Sequence, residues 1–179
     1  MLFAHKPTHL ICFLCLLLLS SCQANDYTVG NQVEVKVTRV VSGQTLEVLG
    51  IPPQPNLAAR VRLIGIDAPD FRQLPWADES KEVLAELIGE PEKSVILEFD
   101  LEAKDKTGRT LAYVWKDNRL LNEEIVKKGY ALFVGRSPNH KYDRRLEQAQ
   151  QWARLMGKGI WNPEKPMRLS PSEFRRQKL

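Results

Sequence analysis

Beyond residue 22 this chain has no cysteine. Its three cysteines are Cys12, Cys15 and Cys22, so whatever folds after them contains no disulfide. The stretch from there to Leu179 is long enough to hold together by its core alone, and one domain is expected. Histidine is nearly as scarce. His140 is the single one after His9, alone in a polar loop. Internal repeats and low-complexity tracts are absent. One apolar run stands out, Leu10 to Leu19, and it is too short to span a bilayer as a stable anchor.

The flanks of that run make it an export signal rather than structure. Lys6, with His5 and His9, gives a weakly basic start, and small residues follow the apolar stretch. Leu19-Ser20-Ser21-Cys22 resembles a bacterial lipobox. The resemblance implies cleavage before Cys22, lipidation of Cys22 and attachment to a membrane outside the cytoplasm. Gln23 is not aspartate, which by the sorting rule of Gram-negative lipoproteins argues against retention at the inner membrane. The expected layout is a signal over 1–21, a tether over 22–32, a folded domain over 33–162 and a basic C-terminal tail over 163–179.

The overall charge of +4 hides an asymmetry. Cys22 to Val126 carries 12 Lys/Arg against 18 Asp/Glu, whereas Lys127 to Leu179 carries 13 against 4. A basic C-terminal third draws in polyanions, nucleic acid among them.

Period-two alternation marks Val33, Val35, Val37 and Val40-Val41 as a first strand, followed by a tight turn at Ser42-Gly43-Gln44 and a second strand over Thr45 to Leu49. Three prolines between Ile51 and Asn56 demand a loop. Ala59 to Ile66 reads as a third strand. Pro75 opens a helix to about Ile88, with Val83, Leu84, Leu87 and Ile88 on one face. Ser94 to Asp100 and Thr110 to Trp115 are strands four and five, separated by a turn around Gly108 in which Asp105 is the turn former. Asn122 is expected to cap a short helix to Lys128. A third helix runs from Tyr142 to about Met156, with Leu146, Ala149, Trp152, Ala153 and Met156 as its core side. Ser170-Pro171-Ser172-Glu173 has the form of a capping box, opening a helix too short to be stable alone. Five strands in this order, with helices after the third and fifth, predict an α+β fold: a five-stranded OB-type β-barrel with about three packed helices.

The chemistry concentrates at Arg62-Leu63-Ile64-Gly65-Ile66-Asp67-Ala68-Pro69-Asp70. A guanidinium inside an apolar strand is costly unless an anion faces it. Arg62 can grip a phosphate in a fixed fork, and Asp67 and Asp70 can offer oxygens to a hard cation. The plainer alternative is a structural Arg–Asp pair at a proline turn.

Two further segments complete a pattern: Val41-Ser42-Gly43-Gln44-Thr45-Leu46 and Asp105-Lys106-Thr107-Gly108-Arg109-Thr110-Leu111-Ala112-Tyr113-Val114, with Gly159-Ile160-Trp161 near the end. Their order and spacing resemble the staphylococcal nuclease (thermonuclease) family from about Val33 to Trp161. The resemblance implies a calcium-dependent phosphodiesterase on an OB barrel that cleaves DNA and RNA. Arg62 matches the arginine on the scissile phosphate and Arg109 the arginine that stabilises the transition state. Asp67 matches a calcium ligand, and Ala68 a residue lending its backbone carbonyl to the metal. Asp70 stands where the family has a glutamate, the proposed general base, and Gln44 where it has a second acidic ligand. Gln44 brings an oxygen without charge, and Asp70 sets the base back by about 1 Å. Tyr130, Phe133 and Tyr142 fall where the family has tyrosines near the nucleotide, without a clean match.

The expectation is therefore an exported, lipid-anchored, monomeric nuclease acting on nucleic acid, with calcium as cofactor. The alternative is a module that binds nucleic acid or another polyanion through Arg62, Arg109 and the basic C-terminal third without cutting it. A third reading is a purely structural lipoprotein domain.

Overall fold

The computed structural model describes residues 31–89 and 94–177. The expected signal, the expected lipidation site Cys22 and most of the expected tether lie outside the described residues. No helix among those described is long and apolar enough to cross a membrane.

The chain forms β1 (Gln32–Ser42), β2 (Thr45–Leu49), β3 (Ala59–Leu63), β4 (Ile66–Asp67), α1 (Trp76–Ile88), β5 (Ser94–Glu98), β6 (Thr110–Lys116), β7 (Arg119–Leu120), α2 (Leu121–Lys127), β8 (Leu132–Phe133), α3 (Asp143–Leu155), a single 3-10 turn at Gly159–Trp161 and α4 (Pro171–Gln177). Strands pair in the order β3-β2-β1-β5-β6-β7. A parallel pairing of β3 with β6 closes the first five into a mixed barrel. This is the α+β OB-type barrel that the pattern predicts, with four described helices rather than about three. The short fourth helix is the one its capping box announces, and it gains order by docking.

Alternation dictates the barrel interior. Val35, Val37, Leu46, Val48, Val61, Leu63, Val95, Leu97 and Phe99 are all buried. On β1 the alternate residues Glu34, Lys36 and Thr38 face outward, whereas β3, β5 and β6 also bury Arg62, Glu98 and Tyr113 on their other face. Helix α1 adds Leu84, Leu87 and Ile88, and α3 adds Leu146 and Ala149.

Three expectations need correction. The third strand does not run unbroken to Ile66. Gly65 has φ +76° and turns the chain, so that β4 leaves the barrel to pair with β8. A side chain at Gly65 would lie 2.6 Å from Leu146 Cδ1. Asn122 is not a cap but a fully buried residue in the first turn of α2. Its Oδ1 accepts from Val114 N at 2.9 Å and its Nδ2 donates to Ile64 O at 2.8 Å, satisfying two backbone groups that the β3–β4 break would leave orphaned. On α3, Trp152 and Met156 face solvent, about half exposed, while Leu146, Ala149 and Ala153 are buried. The buried stripe is narrower than the apolar spacing suggests.

After α3 the chain is pinned before it turns back. Gly129 and Gly159 meet backbone to backbone, and a Cβ on either would sit 2.2 Å from a carbonyl oxygen of the other segment. Ile160 N donates to Gly129 O at 2.8 Å. From there the C-terminal residues return to the β3–β4 corner, where Gln73 Nε2 donates to Leu169 O at 2.9 Å.

Candidate active site

The site lies where β3, the β4 corner and the turn before β6 converge. Arg62, near the end of β3, is buried at 7% exposure. Its Nη2 donates to Ile66 O at 2.7 Å and stands 3.7 Å from Asp67 Oδ1, and its Nη1 reaches Leu63 O at 3.4 Å. Two carbonyls of the β3–β4 turn thus aim the guanidinium. Its pKa is pushed down to about 10, first by burial, against the pull of Asp67, with Arg109, Arg136 and Arg175 adding repulsion. It remains charged at neutral pH, and an arriving anion relieves the repulsion.

Arg109 is aimed differently. Residues 105–109 form a turn, with Gly108 N donating to Asp105 O and Asp105 N to Arg109 O, both at 3.0 Å. The Asp105 carboxylate accepts from Thr107 N, Thr107 Oγ1 and Arg109 N at 2.9, 2.7 and 3.0 Å, and from Arg109 Nε at 2.7 Å. Burial opposes its charge, yet these donors win and hold Asp105 down at about 2. Asp105 is a turn former that also sets the Arg109 side chain. β3 and β6 run parallel in register, Arg62 opposite Leu111, so the two guanidiniums face one pocket of about 540 Å³.

Asp67, on β4, is buried by the pairing of Asp67 with Leu132 of β8. Gln44 Oε1 accepts from Ala68 N at 2.6 Å, which brings the β1–β2 turn against the β4 corner. Gly43 makes this approach possible, because a Cβ there would lie 1.7 Å from Ser80 Oγ and 3.1 Å from Ala68 Cβ. Asp67, Gln44 and the Ala68 carbonyl are hard oxygen donors gathered at one corner, the donor chemistry that calcium takes. The set contains a single carboxylate. No group of three or more His, Cys, Asp or Glu side chains that could hold a metal occurs among the described residues. Asp67 Oδ2 accepts from Arg175 Nη2 of α4 at 2.7 Å.

Asp70 is tied to its neighbour. Arg72 Nε donates to Oδ1 at 2.9 Å, Arg72 Nη2 to Oδ2 at 3.4 Å, and Arg72 N to Oδ1 at 3.2 Å. The Arg72 side-chain hydrogen bond, more than any other influence, holds the Asp70 carboxyl below the usual carboxylate range, with burial opposing. Asp70 N donates to Gln73 Oε1 at 2.9 Å, so the buried Gln73 links the Asp70 backbone to the returning C-terminal segment.

Sequence reasoning missed two cations. Arg136 lines the same pocket, is exposed and pairs with no carboxylate among the described residues. Its loop is held by Asn139, whose Oδ1 accepts from Glu102 N and whose Nδ2 donates to Glu102 O, both at 2.8 Å. Arg175 is the other. The only signal for either was the charge excess of the C-terminal third. The three aromatic candidates do not line this pocket. The Tyr142 hydroxyl donates to Glu98 and its ring meets Tyr113 edge-on at 4.7 Å, while Phe133 and Tyr130 pack on the core. His140 Nδ1 contacts Asp143 Oδ2 at 2.6 Å, at the start of α3.

Comparison with known proteins agrees with this geometry. Residues 60–163 match the family described as staphylococcal nuclease homologue. The chain is 36% identical over 137 residues to a thermonuclease of Staphylococcus hyicus, covering 74% of this chain and 78% of that protein. It is 33% identical over 159 residues to an uncharacterized endonuclease of Haemophilus influenzae, covering 89% and 79%. It is also 31% identical over 154 residues to protein ParB of Escherichia coli, covering 79% and 78%. With two arginines on one pocket at the mouth of an OB barrel, and this extent of likeness, the chain belongs to the staphylococcal nuclease family.

Proposed function

We propose that this protein is an exported nuclease, anchored by lipidated Cys22, that hydrolyses phosphodiester bonds of DNA or RNA as a monomer. One observation carries the reading: Arg62 and Arg109, brought by parallel neighbouring strands, face a single pocket of about 540 Å³. Attack of water on a phosphodiester builds negative charge on the phosphorus oxygens, and two aimed guanidiniums meet that charge. Removing one such donor costs about 10²- to 10³-fold in rate. Nucleases of this family typically use calcium. Asp67, Gln44 and the Ala68 carbonyl are the residues that would hold it, and the bound ion supplies positive charge and polarisation at the phosphate. Asp70, which does not line that pocket, is the residue we assign to take the proton of the attacking water. Its lowered pKa keeps it ionised well below neutral pH, at the expense of basicity.

The ion pair that ties Asp70 to Arg72 favours a second reading, a module that binds nucleic acid or another polyanion without cutting it. Hydrolysis of single-stranded DNA by the purified protein, with calcium and with a chelator, decides between them. Calcium-dependent cleavage lost in Arg62→Ala and Arg109→Ala supports the enzyme. Binding of the strand without cleavage at any calcium concentration supports the module. Anchoring has its own measurement: Cys22→Ser should abolish lipid labelling and block signal cleavage, and unchanged processing would remove the lipoprotein from the proposal.

A further inference from the structure

Helix α4 lies beyond residue 163, where the match to the family ends, yet its Arg175 reaches Asp67 of the β4 corner. We propose that Arg175 is a working residue of this site: its guanidinium holds, on Asp67, the place of a divalent cation, and α4 is a latch that such a cation displaces. This rests on the cation reading given under Proposed function.

The contact is close and buried on one side. Arg175 Nη2 donates to Asp67 Oδ2 at 2.7 Å, and the Asp67 side chain is 5% exposed. The other carboxylate oxygen faces Arg62 at 3.7 Å. A calcium ion needs its ligand oxygens at about 2.3–2.6 Å. With Oδ2 already capped by a donor at hydrogen-bond distance, an ion taking the second lone pair of that oxygen would stand against the guanidinium, and their charges repel. Gln44 offers no charge with which to outbid the guanidinium. The cation therefore arrives only if Arg175 leaves.

Arg175 is able to leave because α4 is lightly held. The helix has seven residues, too few to be stable alone. Pro171 is its one buried residue. Its first turn is closed within itself by Ser170 and Glu173, with Ser170 N donating to Glu173 Oε2 at 2.9 Å and Ser170 Oγ to the same oxygen at 2.6 Å. Further ties to the body include the Arg72 guanidinium over the Phe174 ring at 5.6 Å and, in the segment leading to the helix, Gln73 Nε2 on Leu169 O and Met167 N on Ile160 O, both at 2.9 Å. Arg72 is also the partner of Asp70. Release of α4 thus takes a guanidinium from Asp67 and removes one of the two rings, Phe71 and Phe174, that Arg72 lies over, leaving the Arg72–Asp70 pair itself in place.

The test uses the full chain, calcium alone, titration calorimetry and amide hydrogen exchange of residues 174–177 followed by NMR. Calcium should speed exchange in the parent. Arg175→Ala should bind calcium about tenfold more tightly and exchange fast with or without it. Arg175→Lys should fall between. Equal calcium affinity in parent and Arg175→Ala, with α4 equally protected at saturation, overturns the latch and leaves the cation reading standing. Absence of calcium binding in every variant overturns both, and makes the Arg175–Asp67 pair purely structural.

Discussion

Arg62 and Arg109 face the same pocket, but they are held by opposite means. Arg62 is part of the barrel wall, fixed by two carbonyls of the β3–β4 turn and buried beside Asp67. Arg109 is a surface residue, about one-third exposed, held by the carboxylate of a five-residue turn. In the first region fold and function share the same atoms. In the second a local turn does the positioning, and the barrel behind it is indifferent to the side chain. If this pocket is the proposed phosphate site, it has one arginine whose loss would damage the molecule and one whose loss would damage only the chemistry.

The largest effect should therefore come from Arg62→Ala. It leaves Ile66 O without its donor and Asp67 with Arg175 as its remaining partner, and should cost about 3 kcal/mol of stability together with about 10²- to 10³-fold in cleavage. Urea unfolding and a hydrolysis assay on the same preparation check both. Arg109→Ala should lose cleavage on the same scale, while stability changes by less than about 1 kcal/mol. If both variants unfold alike, the contrast is wrong.

The turn can also be attacked by acid. Asp105 has its folded value lowered from 3.8 to about 2, so its contribution is present above 3.8 and lost as pH falls through about 2. Binding of a nucleotide bisphosphate should weaken across that window in the parent, and Arg109→Ala should not show the step.

A gain is expected from the corner rather than the wall. Gln44→Asp with Asp70→Glu restores charge to the cation corner and extends the base, and should raise calcium-dependent cleavage about tenfold or more. The two changes should combine non-additively, since in the proposed site they are coupled through the shared metal and water. The smallest effect belongs to Arg136→Ala. Strand binding should weaken a few-fold, with the salt dependence of binding reduced by about 0.7 in slope, and the maximal rate kept. An unchanged slope would remove Arg136 from the phosphate path.

Much of this was legible along the chain because its causes are local. Alternation placed Val35, Val37, Val95, Leu97 and Phe99 in the core, and Gly108 after Asp105 marked the turn that carries Arg109. The break at Gly65 was hidden inside an apolar run that fits a strand at every position except for the demand of one positive φ. Asn122 looked like a cap because Asn favours that place. The two backbone groups it serves lie on β6 and at the β3–β4 turn, and a single segment does not display them. Trp152 and Met156 kept helical spacing, but the spacing cannot show where the neighbouring surface ends. Arg136 and Arg175 were out of reach for a simpler reason. The partner of Arg175 lies 108 residues earlier, and no periodicity links them.

The meeting of Gly129 and Gly159 gives that distant pair a fixed geometry. By pinning the chain at Trp161, it makes the following segment a tether of set length, so the guanidinium of Arg175 competes at Asp67 as an intramolecular ligand. Its effective concentration there is set by the link and is independent of the protein concentration. Shortening residues 163–168 would leave Arg175 in the chain and take it out of range, and bulk at Gly159 would shift the anchor point itself. If the latch proposed for α4 holds, the reach of a tail set by two glycines would decide which cation Asp67 meets first.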